Sequence, residues 1–233
     1  PDHGTGYIPK PGDVKYKDIS GPDGVPDGVI DDYDKTNIGS PMPKFTFGWT
    51  NTFRYKNFDL SVFINGSYGN KVYNYLSMKL THMNSPWTNQ LNAVNGRAQL
   101  VPINPNKVYE DGTMWYNDVS NVMVANPGAS IPRATINDPN DNDRISDRYI
   151  EDGSYIRLKN ISLGYTFPKK TIDKLGLSNL RIYANIQNLL TITGYDGYDP
   201  EIGASTSSVN VYGLDNGRYP SPTVYSFGLN VSF

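Results

Sequence analysis

Apolar and polar residues alternate with a period of two in five stretches of this chain. Such alternation marks a β-strand with one apolar and one polar face. The first stretch is "FTFGWTNTFRY", residues 45–55. Phe45, Phe47, Trp49, Phe53 and Tyr55 share one face, Asn51 being the exception, and Thr46, Gly48, Thr50, Thr52 and Arg54 share the other. The second, "FDLSVFINGSY" at 58–68, sets Phe58, Leu60, Val62, Ile64 and Tyr68 against Asp59, Ser61, Asn65 and Ser67. Only Lys56 and Asn57 lie between the two, which predicts a tight hairpin. The third is "SYIRLKNISLGYTF", 154–167. Its apolar phase changes between Leu158 and Ile161, predicting a bulge near Lys159–Asn160. The fourth is "LRIYANIQN", 180–188, and the fifth "TVYSFGLNVSF", 223–233. Helix signal is confined to "KKTIDKLG", one short turn with a glycine stop.

The connections are unequal. Two residues join strands one and two, and about eleven (168–178) join strands three and four. Some 85 residues (69–153) separate strands two and three, and about 34 (189–222) separate strands four and five. With the short turns on one side, both long loops fall on the other, together with residues 1–44. Strands of about ten residues with short turns on one side and long loops opposite are the pattern of an outer-membrane barrel. A soluble β-sandwich also alternates, but it rarely sets Phe, Trp and Tyr at both strand ends of its outward face. The expected class is all-β: C-terminal strands of a large antiparallel transmembrane β-barrel with long extracellular loops. Five strands do not close a barrel, which takes about eight, so the remaining strands are expected elsewhere.

Composition adds three constraints. Cysteine is absent, which excludes disulfides, thiol nucleophiles and Cys-based zinc sites. A net charge of -2 gives no general attraction for nucleic acid. The 18 tyrosines outnumber the 8 phenylalanines, which suits strands with one apolar and one wet end. No apolar run reaches the roughly 18 residues of a membrane helix. The opening "PDHGTGYIPKPG" shows neither a signal peptide nor an initiator Met, and a chain cut or started late is expected from it.

Several stretches resemble the C-terminal part of the SusC/RagA family of TonB-dependent outer-membrane transporters. "IGSPMPKFTFG" followed by "YKNFDLSVFINGSYGN" is similar to the family's penultimate block. "DRYIEDGSYIRLKNISLGYTFP", "LRIYANIQNLLTITGYDGYDPEIG" and "YPSPTVYSFGLNVSF" follow in family order. The loop from Tyr75 to Asp143 matches no such block. The resemblance implies a 22-stranded barrel in the bacterial outer membrane, with an N-terminal plug and earlier strands preceding this segment. It also implies a SusD-like surface lipoprotein as a lid, energy supplied by TonB, and import of oligosaccharides or peptides. Residues 1–44 then form an extracellular segment, and 45–233 hold the last five strands. Outer-membrane barrels resemble one another in ending on an aromatic, here Phe233.

Candidate chemistry is sparse. "DGVPDGVIDDYD", 23–34, fits a twelve-residue calcium loop. Asp23, Asp27, the Val29 carbonyl, Asp31 and Asp34 would hold the ion around the Gly28 turn, because Ca²⁺ takes six to eight oxygens. Val25 offers no ligand at the third position and Asp34 is shorter than the usual Glu; Asp18 and Asp32 could compensate. The plain alternative is an Asp/Gly/Pro surface turn. Trp87, Trp115, Tyr116, Tyr195 and Tyr198 are candidate solute contacts, each of which could equally pack its own loop. No enzyme motif occurs, and the two histidines, His3 and His82, lie in different loops. Asn65, Asn160 and Asn230 head N-x-S triplets on expected strands, a chance pattern. The competing readings are a passive barrel or adhesin, and a soluble calcium-stabilised glycan-binding β-domain.

Overall fold

The computed structural model describes residue 7, residues 9–201 and residues 211–233; His3, Ile202 and Gly203 lie outside them. The chain forms two compact units, Pro1–Ile38 with Leu76–Tyr149, and Gly39–Tyr75 with Ile150–Phe233.

The second unit is built on a five-stranded antiparallel sheet. Numbering all strands of the chain in order, β1 is Phe45–Tyr55, β2 Phe58–Tyr68 and β3 Lys71–Asn74. β4 is Leu100–Pro102, β5 Val122–Val124 and β6 Ile150–Asp152. β7 is Tyr155–Thr166, β8 Asn179–Thr193, β9 Leu214–Asp215 and β10 Val224–Ser232. The sheet order is β1-β2-β7-β8-β10, so each long strand pairs with the next long strand along the chain. A smaller sheet, β6-β3-β9, stands at the loop end.

Register decides the two faces. Trp49 pairs with Ile64, Phe53 with Leu60, and Leu60 in turn with Leu163. Leu163 faces Ala184, which faces Phe227. Because side chains alternate, one face becomes a continuous apolar surface. Phe45, Trp49, Phe53, Phe58, Leu163, Ile182, Phe227 and Leu229 are all exposed on it. A face this large and apolar is unusual on a protein that meets only water. The opposite face carries Thr46, Asp59, Ser61, Asn65, Arg157, Ser162, Arg181, Tyr183 and Asn185 in the alternate register.

A close approach organises that polar face. Arg181 on β8 reaches across β7 to Asp59 on β2, with Nη2–Oδ2 at 2.6 Å and Nε–Oδ1 at 3.1 Å. The strand it crosses presents Gly164, where an added Cβ would fall 2.3 Å from the guanidinium. Glycine is therefore what lets the ion pair span three strands.

Two features escaped the alternation. β8 runs on to Thr193, five residues beyond the expected end, because Asn188 takes a positive φ of 51°. Opposite, the β7 register skips Lys159, so a bulge changes the apolar phase of both strands and the pattern resumes at Leu190. The loop after β3 also contains a helix, α1 (Tyr75–Thr81). A second, one-turn helix, α2 (Lys169–Ile172), occupies the β7–β8 connection and ends near Gly176, whose φ is 70°. No helix among the described residues is long and apolar enough to cross a membrane, which says nothing of strands.

Among the described residues the first unit holds the β4–β5 pair, five 3₁₀ turns and the 18–34 loop. Its interior mixes apolar Ile30, Met78, Val122, Ile131 and Tyr149 with polar His82, Asn121, Asp138, Asn140 and Asn142. With so many buried polar side chains, hydrogen bonding has to carry much of its order.

Candidate functional site

The polar face of the five-stranded sheet carries a cavity of about 740 Å³. Thr46, Ser67 and Tyr155 of the strands, Pro41 and Pro43 before β1, and Tyr212, Tyr219 and Ser221 after β9 line it. Hydroxyls and tyrosine rings share the lining with several prolines, and the charged Lys159, Asp199 and Glu201 are tied into one network with Arg157.

That pairing starts from β7. Its alternation turns Arg157 to the polar face, where the side chain is 3% exposed. The guanidinium donates to Asp199 Oδ1 at 2.5 Å, Glu201 Oε2 at 2.6 Å and Thr191 Oγ1 at 2.8 Å. Lys159, in the bulge and therefore unpaired in the ladder, donates to the same Glu201 at 2.7 Å. Asp199 also accepts from Glu201 N and Ser221 N at 2.9 Å. Burial alone would raise the Asp199 carboxyl. Hydrogen bonds from Ser221, Arg157 and Glu201 outweigh it and hold the group below the usual carboxylate range. The segment "YDPE" is thus clamped to the sheet by two strand cations.

Tyr195 is a second fastening. It is 5% exposed, and its hydroxyl donates to the buried Asp215 of β9 at 2.5 Å. Burial and then this bond push the hydroxyl far above its ordinary range, so it stays a neutral donor. Its ring packs within the loop and offers a solute little surface. Tyr198, by contrast, is 64% exposed.

In the first unit Trp87 is 92% exposed, and Trp115 and Tyr116 form an edge-on pair with centroids 5.7 Å apart. Asp23 is exposed on the Gly21–Gly24 turn. Asp34 is taken up by the amides of Ile19, Ser20 and Asp31, Asp31 by Tyr33 N, and Asp27 by Val29 N. Asp18 accepts from Gly28 N at 2.7 Å through Oδ2, while its Oδ1 is buried without a partner. The carboxylates of 23–34 do not draw together as three. Among the described residues only His82, Asp138 and Asp143 do. Sequence reasoning missed the Arg157–Asp199–Glu201 clamp, although the β7 alternation already turned Arg157 to the polar face.

An antiparallel sheet with an aromatic-rich apolar face, a hydrogen-bonded polar face and long loops at one end defines a class: the wall of a membrane β-barrel. No family model matches the chain. A TonB-dependent receptor, P3, of Formosa agariphila is 35% identical over 96% of this chain and 19% of its own length. The TonB-dependent receptor SusC of Bacteroides thetaiotaomicron is 29% identical over 88% of this chain and 17% of its own. The solved RagAB peptide transporter shares the fold, with a TM-score of 0.55 at 20% identity over 84% of this chain and 18% of that one. The chain belongs to the SusC/RagA-type TonB-dependent receptors, and it spans about a fifth of the length of the curated relatives it matches.

Proposed function

We propose that this chain is part of the wall and extracellular mouth of an outer-membrane importer energised through TonB. The single observation that carries the reading is the two-faced sheet: apolar and aromatic outside, hydroxylic and charge-paired inside. The complete barrel has 22 strands, a plug inside it and a SusD-like lipoprotein over its mouth. The solute is an oligosaccharide or peptide, passing the cavity at Tyr155, Tyr212 and Tyr219, with Trp87, Trp115, Tyr116 and Tyr198 as further loop contacts. The relatives, named as TonB-dependent receptors and as a peptide transporter, support import over adhesion. The test is uptake of labelled oligosaccharides and peptides by cells with and without the receptor gene, with and without TonB. Uptake should need both. Uptake indifferent to deletion, or recovery of the receptor in the soluble fraction, would sink the reading.

We also propose a structural Ca²⁺ in the 18–34 loop, because Asp18 Oδ1 is a buried carboxylate oxygen with no hydrogen bond. Asp18 would then be the anchoring ligand, and Asp27, the Val29 carbonyl, Asp31 and Asp34 would join it only by giving up the amides they hold in this structure, with Asp23 outside the site. EDTA should expose the loop to protease, and an unchanged cleavage rate would rule the ion out.

A further inference from the structure

His82 directly follows α1, its amide bonded to Met78 O at 3.1 Å, and its ring is 6% exposed. Nε2 lies 2.8 Å from Asp138 Oδ2, and Nδ1 lies 3.1 Å from Asp143 Oδ2. One ligand atom from each residue falls within 4.8 Å of the others, so a small shift of the side chains brings all three onto one ion. Asp138 is 4% exposed and held by Asn142 N and Nδ2, both at 2.5 Å.

Charge is the first argument for a ligand. Two carboxylates face one imidazole, which supplies at most one positive charge. Of the two, Asp138 is buried and Asp143 partly exposed, and a buried carboxylate is costly unless a cation neutralises it. The second argument is an orphan oxygen in the same turn. Asn140 is fully buried, and its Nδ2 is committed to Val14 O at 3.0 Å and Asn142 Oδ1 at 2.9 Å. Flipping the amide would set oxygen against oxygen, so Oδ1 stays buried with no hydrogen-bond partner. Asp143, with 29% of its side chain exposed, leaves a route in from solvent.

We propose that His82, Asp138 and Asp143 bind a divalent transition-metal ion, of which Zn²⁺ is the probe of choice. Imidazole with carboxylates favours such an ion over Ca²⁺ or Mg²⁺, which prefer all-oxygen sites. The ion takes the place of a ring proton, which leaves to solvent. It ties the 138–143 turn to the residue after α1 and so stiffens the loop unit, doing no chemistry.

The experiment titrates the intact receptor, free of any histidine tag and stripped of metal, with ZnCl₂ by calorimetry. Wild type should show a saturable site that Asp143→Asn weakens by about 10–100-fold. His82→Gln should abolish it. Asp143→Asn changes a rim residue without changing its size, so it decides the matter even if His82→Gln fails to fold. Identical titrations for wild type and Asp143→Asn would overturn the proposal. So would a site that Ca²⁺ fills as readily as Zn²⁺.

Discussion

Asp199→Asn should free the "YDPE" segment from the sheet while leaving the barrel wall intact. The substitution keeps volume and removes one charge from a pair whose members are 3% and 9% exposed. Removing one partner of a buried pair costs about 3–5 kcal/mol, because the other is left uncompensated. Here Arg157 keeps Glu201 at 2.6 Å and Thr191 at 2.8 Å, and Glu201 is itself 34% exposed and screened. These remaining partners bring the cost below that range, to about 2–3 kcal/mol. At about 1.4 kcal/mol per decade, the local opening equilibrium rises on the order of 10²-fold. Hydrogen exchange on the intact receptor reads this directly in peptides covering 194–201. The double variant Arg157→Gln/Asp199→Asn should cost less than the sum of the singles, since both break one contact. Exchange unchanged within about twofold, or full additivity, would refute the clamp. The pH dependence has a definite sign. The folded carboxyl of Asp199 lies below its unfolded value, so its contribution is complete above about pH 4 and is lost as pH falls through the folded value. Protection of the segment should therefore hold from neutral pH to about 4 and decline only below that.

Three further outcomes follow from the same geometry. Tyr195→Phe removes the donor to Asp215, which is 2% exposed, and should cost about 1.5–3 kcal/mol, read as faster exchange around β9. Gly164→Val places a branched side chain where the Arg181 guanidinium lies; the Asp59 bridge should break, with a lower melting temperature of the folded receptor on heated gels. Ile161→Arg puts a charge on the apolar face in the middle of β7 and should cost about 2–4 kcal/mol by urea titration in lipid vesicles, whereas Ser162→Arg on the polar face should change little. Equal effects of those two would mean that the face assignment is wrong.

The sheet was legible because its two solvents differ. When every outward residue meets an apolar surrounding and every inward one meets water or a partner, alternation survives in the sequence without noise from a shared core. β1 and β2 show this: Phe45–Tyr55 and Phe58–Tyr68 pair residue for residue through the Lys56–Asn57 turn. Legibility failed where the ladder itself broke. Lys159 and Asn188 take their strands out of phase opposite each other, and a reading by period alone stops at Asn188, before Leu190, Ile192 and Thr193 rejoin the pattern.

The loops obey another rule, and that is why their chemistry was read less well. Their order rests on side chains that satisfy backbone groups far away in sequence: Asn142 Oδ1 accepts from Val14 N, Asn121 Oδ1 from Asn104 N, and Asp199 from Ser221 N. A short motif shows which carboxylates are near one another along the chain, never which amides will claim them. Asp31 and Asp34 look like ligands by spacing, yet both are spent on turning the chain, Asp31 capping the 3₁₀ turn Asp32–Asp34 and Asp34 holding Ile19 and Ser20. Tyr195 looks like a solute contact by composition, yet its hydroxyl serves Asp215. In a unit that buries so many polar groups, local acidity is weak evidence for a site. The stronger evidence lies among the few buried atoms left without a partner after the hydrogen bonds are assigned, two of which fall near candidate ligands along the chain: Asp18 Oδ1 in one loop and Asn140 Oδ1 in the 138–143 turn. Those two oxygens mark where a cation has something to gain, and neither could be singled out before the partners of all the others were known.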